Sequence, residues 1–424
     1  RYYYSSGNQI SMAKLVFEQY SLKNGLKVIL HQDKNTPMAV VNTLYKVGSR
    51  NEHPNRTGFA HLFEHLMFSG SANAPQYDTI VEQAGGENNA FTNSDITNYY
   101  INLPAANIET ALWLEADRMF QLNINKKSLE TQRKVVVEEF KQRYLNKPYG
   151  DASLLLRPLI YTQHPYQWST IGKEPSHIEQ ADLEEVKAFY KTWYSPNNAI
   201  LSIAGNFDQN QIKEYVEKWF GAIEPSAVPT LSLPVEPDKT QRSFLQVERE
   251  IPASALYMAF LMCDRLHPHY YAFDMISDIL GNGKSSRLYQ TLVKEKMIFQ
   301  DISCYIAGSI DKGFLLIEGK IHDNFTLEQA ETEVWKIIEN TSTSISEYEL
   351  NKVKNKYELN YFSSLVSLIS RAENLAFYEN LENTELINNE IENYSKTTLN
   401  TIQHILKNEL VPHKSIVLYY KKSL

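Results

Sequence analysis

The sequence predicts an α+β protein of two similar domains, and three observations carry that expectation. A chain of 424 residues is longer than one compact hydrophobic core organises. Residues 224–241 include Pro225, Pro229, Pro234 and Pro237 with few large apolar side chains, the composition of an interdomain linker. The order of elements before that stretch is repeated after it. The expected organisation is a first domain over 12–223, a linker over 224–241 and a second, homologous domain over 242–424. Residues 1–11 read as vector-derived, and Met12-Ala13 as the natural start.

Taken in order, residues 17 to about 221 read as strand, strand, helix, strand and helices, with 198–204 as a strand and 211–219 as a helix. The second half opens with strands near 244–247 and 255–261, continues with a helix near 270–280 and closes on a strand at 415–420. In a duplication of this kind, Asp274 and Asp278 fall roughly where the first half carries His61 and His65. Two aspartates without an imidazole make a poor zinc site, so the second half is expected to form a wall without metal.

The chemistry of the chain is concentrated in His61-Leu62-Phe63-Glu64-His65. At 3.6 residues per turn both imidazoles and the carboxylate share one helix face. Phe59, Ala60, Leu62, Phe63, Leu66, Met67 and Phe68 surround them, so the helix is mostly buried and its polar groups require partners. Two neutral imidazoles and one further ligand hold Zn²⁺ with a fourth position open to water, and Glu64 is placed as the general base that takes its proton. The order His-x-x-Glu-His inverts the commoner peptidase motif. For the third ligand, a second amphipathic helical segment over 129–140 offers Glu139, one turn after Val135 and Val136 and beside the apolar face, while Glu138 follows Lys134 and looks outward.

With these residues in view, the sequence resembles the pitrilysin, or insulinase, family of zinc peptidases, and within it the paired-chain branch that includes the beta subunit of the mitochondrial processing peptidase and bacterial two-subunit homologues. The pattern R-x-V-V-x-E-E matches Arg133 to Glu139, and blocks along most of the chain match as well: Asn24-Gly25-Leu26, Lys46 to Arg50, Gly58-Phe59-Ala60, Gly85-Gly86 to Tyr99-Tyr100, His164-Pro165-Tyr166 and Tyr194 to Asn198. The resemblance implies His61, His65 and Glu139 as zinc ligands and Glu64 as catalytic base. It implies a fold of the mitochondrial-processing-peptidase type, two alike α/β domains, each a mainly antiparallel sheet flanked by helices, closing on a peptide. It also places Asn89, Ala90, Phe91 and Thr92 on the edge strand that aligns an extended substrate by main-chain hydrogen bonds. Family members often carry a glutamate seven residues before the metal-binding one. Here that position is Gln132, an amide that can orient a ligand by hydrogen bonding but supplies no charge.

A second departure concerns the Arg and Tyr, seven apart, with which the family's second half binds substrate carbonyls and steadies the oxyanion. Their positions fall on Val293, which cannot do that work, and Gln300, a poor substitute. The loss leads to the expectation that this chain is the zinc-bearing subunit of a heterodimer whose homologous partner supplies the pair. The competing expectation is a non-catalytic structural or assembly subunit, like relatives in respiratory complexes; the retention of all four metal-centre residues argues against it.

Composition narrows the remaining classes. A formal net charge of −8 argues against nucleic acid as the main partner. No apolar run reaches the ~18 residues needed to cross a bilayer. Cys263 and Cys304 are too few for a disulfide framework and fit a reducing compartment, so a cytoplasmic location is expected, or a periplasmic one if a leader has been removed.

Overall fold

The computed structural model describes residues 14–423; the segment expected to be vector-derived and the expected start at Met12 lie outside them. Among the described residues eleven strands form two sheets. In chain order they are β1 (Glu18–Ser21), β2 (Lys27–Gln32), β3 (Met38–Tyr45), β4 (Glu87–Thr92), β5 (Thr97–Pro104), β6 (Ala199–Gly205), β7 (Ser243–Arg249), β8 (Ala255–Leu261), β9 (Phe299–Ala307), β10 (Phe314–Ile321) and β11 (Ser415–Lys422). The first sheet runs β1-β2-β6-β3-β5-β4 and the second β7-β11-β8-β10-β9. Leaving out β1, the two orders superimpose strand for strand. The single parallel pair of each sheet, β2 with β6 and β7 with β11, occupies the same place. The repeat expected from the sequence is therefore a repeat of topology, and both sheets are mainly antiparallel.

Burial explains which strands are central. β6 is buried at all seven positions and β3 at seven of eight, the continuous apolar run of a strand covered on both faces. β4 alternates exposed and half-buried residues and, among the described residues, pairs only with β5, leaving its other edge open. The helix expected over 211–219 begins earlier, at Gln209, because Asp208 accepts hydrogen bonds from the N–H groups of Asn210 and Gln211 and so caps it.

The two halves exchange helices. Helix Ala152–Ile160 belongs to the first half of the chain, yet Ala152, Leu156 and Ile160 pack against Ala255, Tyr257, Leu316 and Leu418 of the second sheet. Reciprocally, helix Leu368–Asn380 puts Leu375 and Ala376 against Ile29, Leu44 and Ile200 of the first sheet, and Ala372 against Val40 and Ala204. A polar cluster fastens the same junction. Asp311, in the turn between β9 and β10, meets His164 Nε2 at 3.0 Å and Arg50 Nη1 at 3.3 Å. Asp95 accepts from the backbone N–H of Ile310 at 3.0 Å and from the Tyr166 hydroxyl. The His164 and Arg50 partners hold the Asp311 carboxyl below its ordinary range. Within the 224–241 stretch, buried Glu236 accepts from the N–H groups of Thr162, Gln163 and His164, so that segment is fixed to the first half rather than loose.

The helix Tyr270–Gly281 follows β8 as the helix Phe59–Leu66 follows β3. Its Asp274 accepts from Tyr394 Oη at 2.7 Å, and Asp278 pairs with Lys356 Nζ at 2.9 Å. Both aspartates are thereby engaged in packing contacts of the second half. Cys263 and Cys304 are both free thiols. Among the described residues, no helix is long and apolar enough to cross a membrane.

Candidate metal centre

Helix Phe59–Leu66 is set by its entry. Gly58 precedes it with φ 91°, a left-handed conformation that costs an L side chain strain, and a Cβ there would meet Ile171 O at 2.8 Å. The apolar face, Phe59, Leu62, Phe63 and Leu66, is buried. Phe63 stacks on Phe189 with ring centroids 5.4 Å apart, anchoring the helix to helix Leu183–Trp193. His61, Glu64 and His65 remain on the opposite, half-buried face.

The N-terminus of this helix is held by a residue that sequence reasoning passed over. Glu52 is fully buried; its Oε1 accepts from Ala60 N at 2.9 Å, and its Oε2 from Gly58 N at 2.9 Å and Trp168 Nε1 at 3.1 Å. Burial pushes its carboxyl up to about 8, against the pull of those donors. Removing it leaves the Gly58 and Ala60 N–H groups without a partner, while Trp168 Nε1 keeps Ser49 O at 3.0 Å, so Glu52→Ala is expected to cost roughly 2–4 kcal/mol in a denaturant titration. Because the folded-state value lies above the ordinary one, this group's contribution to stability is full below the usual carboxylate range and is lost as pH rises towards about 8. The wild-type chain should therefore lose stability between pH 5 and 8 by more than Glu52→Gln does, and equal slopes would refute the assignment.

The second helix, Lys126–Phe140, is capped by Asn125, whose side chain accepts from Lys127 N and Ser128 N. Leu129, Val136, Val137 and Phe140 form its buried stripe, whereas Val135 is exposed, so Glu139 flanks the stripe through Val136. Glu138 points outward, as expected, and accepts from Gln142. The two helices bring the three candidate ligands together: Glu139 Oε2 lies 3.6 Å from His61 Nε2 and 3.4 Å from His65 Nε2. The imidazole centroids are 4.9 Å apart with planes at 84°. Among the described residues this is the one group of three His, Cys, Asp or Glu side chains close enough to share an ion.

The donor set fits zinc. Bonds of ~2.0–2.1 Å to a tetrahedral ion place neighbouring ligand atoms ~3.3 Å apart, close to the observed separations. Burial lowers the His61 pKa, favouring the neutral imidazole that binds metal. Glu139 Oε1 is held by Arg143 Nη1 at 3.1 Å, leaving Oε2 for the histidine side. Gln132, two turns before Glu139, donates to Ser69 Oγ at 3.4 Å and makes no hydrogen bond to a ligand side chain. It ties the ligand helix to the residues that follow the histidine helix.

Glu64 makes no side-chain hydrogen bond or ion pair among the described residues and lines, with the three candidate ligands, a cavity of about 640 Å³. Ala90, Phe91 and Thr92 of the open-edged β4 line the same cavity, and the buried Thr92 Oγ1 has no protein partner. Asn89 stands outside the lining, its Oδ1 accepting from Ala90 N at 2.9 Å. Arg143, Tyr144, Ser153, Arg157, Ser169, Thr170 and Ile171 complete the wall, none of them expected from sequence as a site residue. Arg143, Tyr144 and Ser153 continue into a second cavity of about 690 Å³, bounded by Tyr257, Tyr305, Glu318 and Lys320 of the second sheet. Val293 packs against the core of the second half, and Gln300 donates to Ile321 O; neither lines the metal cavity.

A family model described as insulinase (peptidase family M16) matches residues 27–154, and one described as peptidase M16 inactive domain matches residues 180–357. Zinc protease PqqE of Helicobacter pylori is 32% identical over 358 residues, 82% of this chain and 80% of that protein. A probable mitochondrial-processing peptidase subunit beta of Schizosaccharomyces pombe is 26% identical over 381 residues, 84% of this chain and 80% of that protein. Among solved structures, a protease from Helicobacter pylori matches with a TM-score of 0.90 at 28% identity, covering 96% of this chain and 99% of that one. A Pseudomonas fluorescens chain described as a peptidase M16 inactive domain matches with a TM-score of 0.86 at 19% identity, covering 97% and 98%, a likeness of fold.

Proposed function

Since this chain belongs to the insulinase family of peptidases, family M16, we propose that it is a zinc-dependent endopeptidase that hydrolyses extended peptides. The observation that carries the reading is the convergence of His61, His65 and Glu139 with an unpartnered Glu64 in one cavity beside an open strand edge. Zinc, when bound, supplies Lewis acidity and lowers the pKa of the attacking water. The chain's own residues do the rest. The β4 edge aligns the peptide backbone, with Ala90, Phe91 and Thr92 nearest the scissile bond. Glu64 takes a proton from the attacking water and returns it to the amide nitrogen as the C–N bond breaks. A non-catalytic structural role is the poorer reading, because a subunit freed from catalysis has no need of this set.

The reading extends to a partner. Val293 and Gln300 lie outside the metal cavity, which supports a zinc-bearing subunit joined by a homologous chain that supplies an Arg and a Tyr. The test is cleavage of a quenched fluorescent peptide library by the zinc-loaded chain, alone and mixed with its homologous partner, with Glu64→Gln as control. Turnover that appears only in the mixture is the expected result for a shared site. Equal turnover with and without the partner would discard the partner, and hydrolysis that survives Glu64→Gln would discard the peptidase assignment to this site.

A further inference from the structure

We infer that Arg143 is a catalytic residue of this centre, donating to the substrate carbonyl oxygen as it becomes an oxyanion. The inference rests on the peptidase reading above and gives this chain one oxyanion donor of its own, in addition to the Arg and Tyr that a partner would bring. Hydrolysis of an amide forms a C–O bond to water, moves the carbonyl electron pair onto oxygen, and then expels the amine with the proton carried by Glu64. The charge on that oxygen calls for a fixed cation or N–H donors in the cavity.

Among the described residues the cavity wall contains two cationic side chains besides the histidines, Arg143 and Arg157. Arg157 is committed elsewhere: it donates to Tyr166 O at 3.0 Å and lies over the Phe314 ring at 6.0 Å. Arg143 is not. Among the described residues its side chain makes one ion pair, at 3.1 Å to Glu139 Oε1, and no side-chain hydrogen bond, and it is 71% exposed, so most of the five guanidinium N–H donors remain available. It also stands where the metal cavity joins the second cavity, on the path of a peptide that reaches both sheets.

The backbone accounts for this placement. After Phe140 the ligand helix does not continue as an α-helix but widens into a π-helical turn, Lys141–Leu145, in which Asn146 N reaches back to Lys141 O at 2.8 Å. Such turns re-aim side chains at a local cost and are concentrated at functional sites. Here the turn follows a metal ligand directly and carries Arg143 and Tyr144 into the cavity. The ion pair with Glu139 Oε1 directs the guanidinium towards the candidate ligands, so a donor stands near the site before the charge develops.

The test separates this role from mere support of Glu139. Arg143→Ala and Arg143→Lys are compared with wild type in whichever assembly Glu64→Gln silences. Four quantities are measured: kcat, KM, zinc affinity by chelator competition, and affinity for two peptides of one sequence. One peptide carries a tetrahedral phosphinate at the scissile position, and the other is unmodified and is measured on the Glu64→Gln background. The expected result for Arg143→Ala is a kcat lower by roughly 10²–10³-fold with KM within about threefold. Phosphinate affinity should fall by a similar factor, the unmodified peptide's should be unmoved, and Arg143→Lys should retain part of the difference. Equal losses for both peptides, or a kcat restored by excess zinc, would reduce Arg143 to a positioning residue and overturn the inference. So would an unchanged kcat, which would return the oxyanion donor to a partner subunit. The two binding arms need no turnover, so they decide on Arg143 even if the wild-type chain hydrolyses nothing, an outcome that would count against the peptidase reading alone.

Discussion

Glu64→Gln is expected to lower kcat by roughly 10²–10⁴-fold or more while leaving one zinc per chain, because it removes a base and leaves the ligand set untouched. The structure gives three reasons to expect so clean a separation. Glu64 forms no ion pair or side-chain hydrogen bond among the described residues, so no packing contact is lost with its charge. The helix that carries it is fixed from the other side by Phe63 on Phe189 and from its N-terminus by Glu52, and neither contact involves the carboxylate. The amide is nearly isosteric, so the cavity keeps its shape and KM should move little. Single-turnover hydrolysis with metal analysis of the same preparation checks both halves of the expectation. Loss of zinc together with activity would mean that Glu64 is a ligand and that one of the other three is not.

The residues that were legible in the sequence are those whose placement follows from local geometry. His61, Glu64 and His65 share a face because a helix has 3.6 residues per turn, and the apolar letters around them announce its burial. Glu139 was legible through its own helix, although by a partly mistaken route: Val135, used to place it beside the apolar face, is exposed, and Val136 alone sets the stripe. The β4 edge was legible because Gly85-Gly86 opens a short β-prone run. The repeat was legible in element order, but the exchange of helices 152–160 and 368–380 between the sheets was not. Each of those helices is amphipathic in the ordinary way, and nothing in its periodicity says which of two similar sheets receives its apolar face. Glu52 and Arg143 were missed for a related reason. A buried carboxylate capping a helix that starts seven residues later, and an arginine aimed by a π-helical turn, look in sequence like ordinary charged residues until the chain has folded around them.

Changing any one of His61, His65 and Glu139 is expected to weaken zinc binding by more than the roughly 10–100-fold that follows loss of an outer hydrogen bond, because each change removes a ligand or its charge. His61→Ala and His65→Ala should be the most severe. Each leaves one imidazole and one carboxylate, and two ligands do not close a tetrahedral site against water. Glu139→Gln should lie below them. The amide oxygen remains a weak donor near both Nε2 atoms, but its charge is gone and the pair with Arg143 goes with it. The same substitution leaves the guanidinium beside the histidines without its counter-charge, which further disfavours a dication. Folding should survive all three changes, since the ligands occupy the half-buried face of helices whose buried stripes are apolar. Chelator competition on the three variants, with a thermal melt of each, is the measurement. The order expected is wild type, then Glu139→Gln, then either histidine variant, with the metal-free melts close together. Stoichiometric zinc retained by the His61→Ala, His65→Ala double variant would place the metal elsewhere in the chain, and Glu64 would lose the water it is positioned to deprotonate.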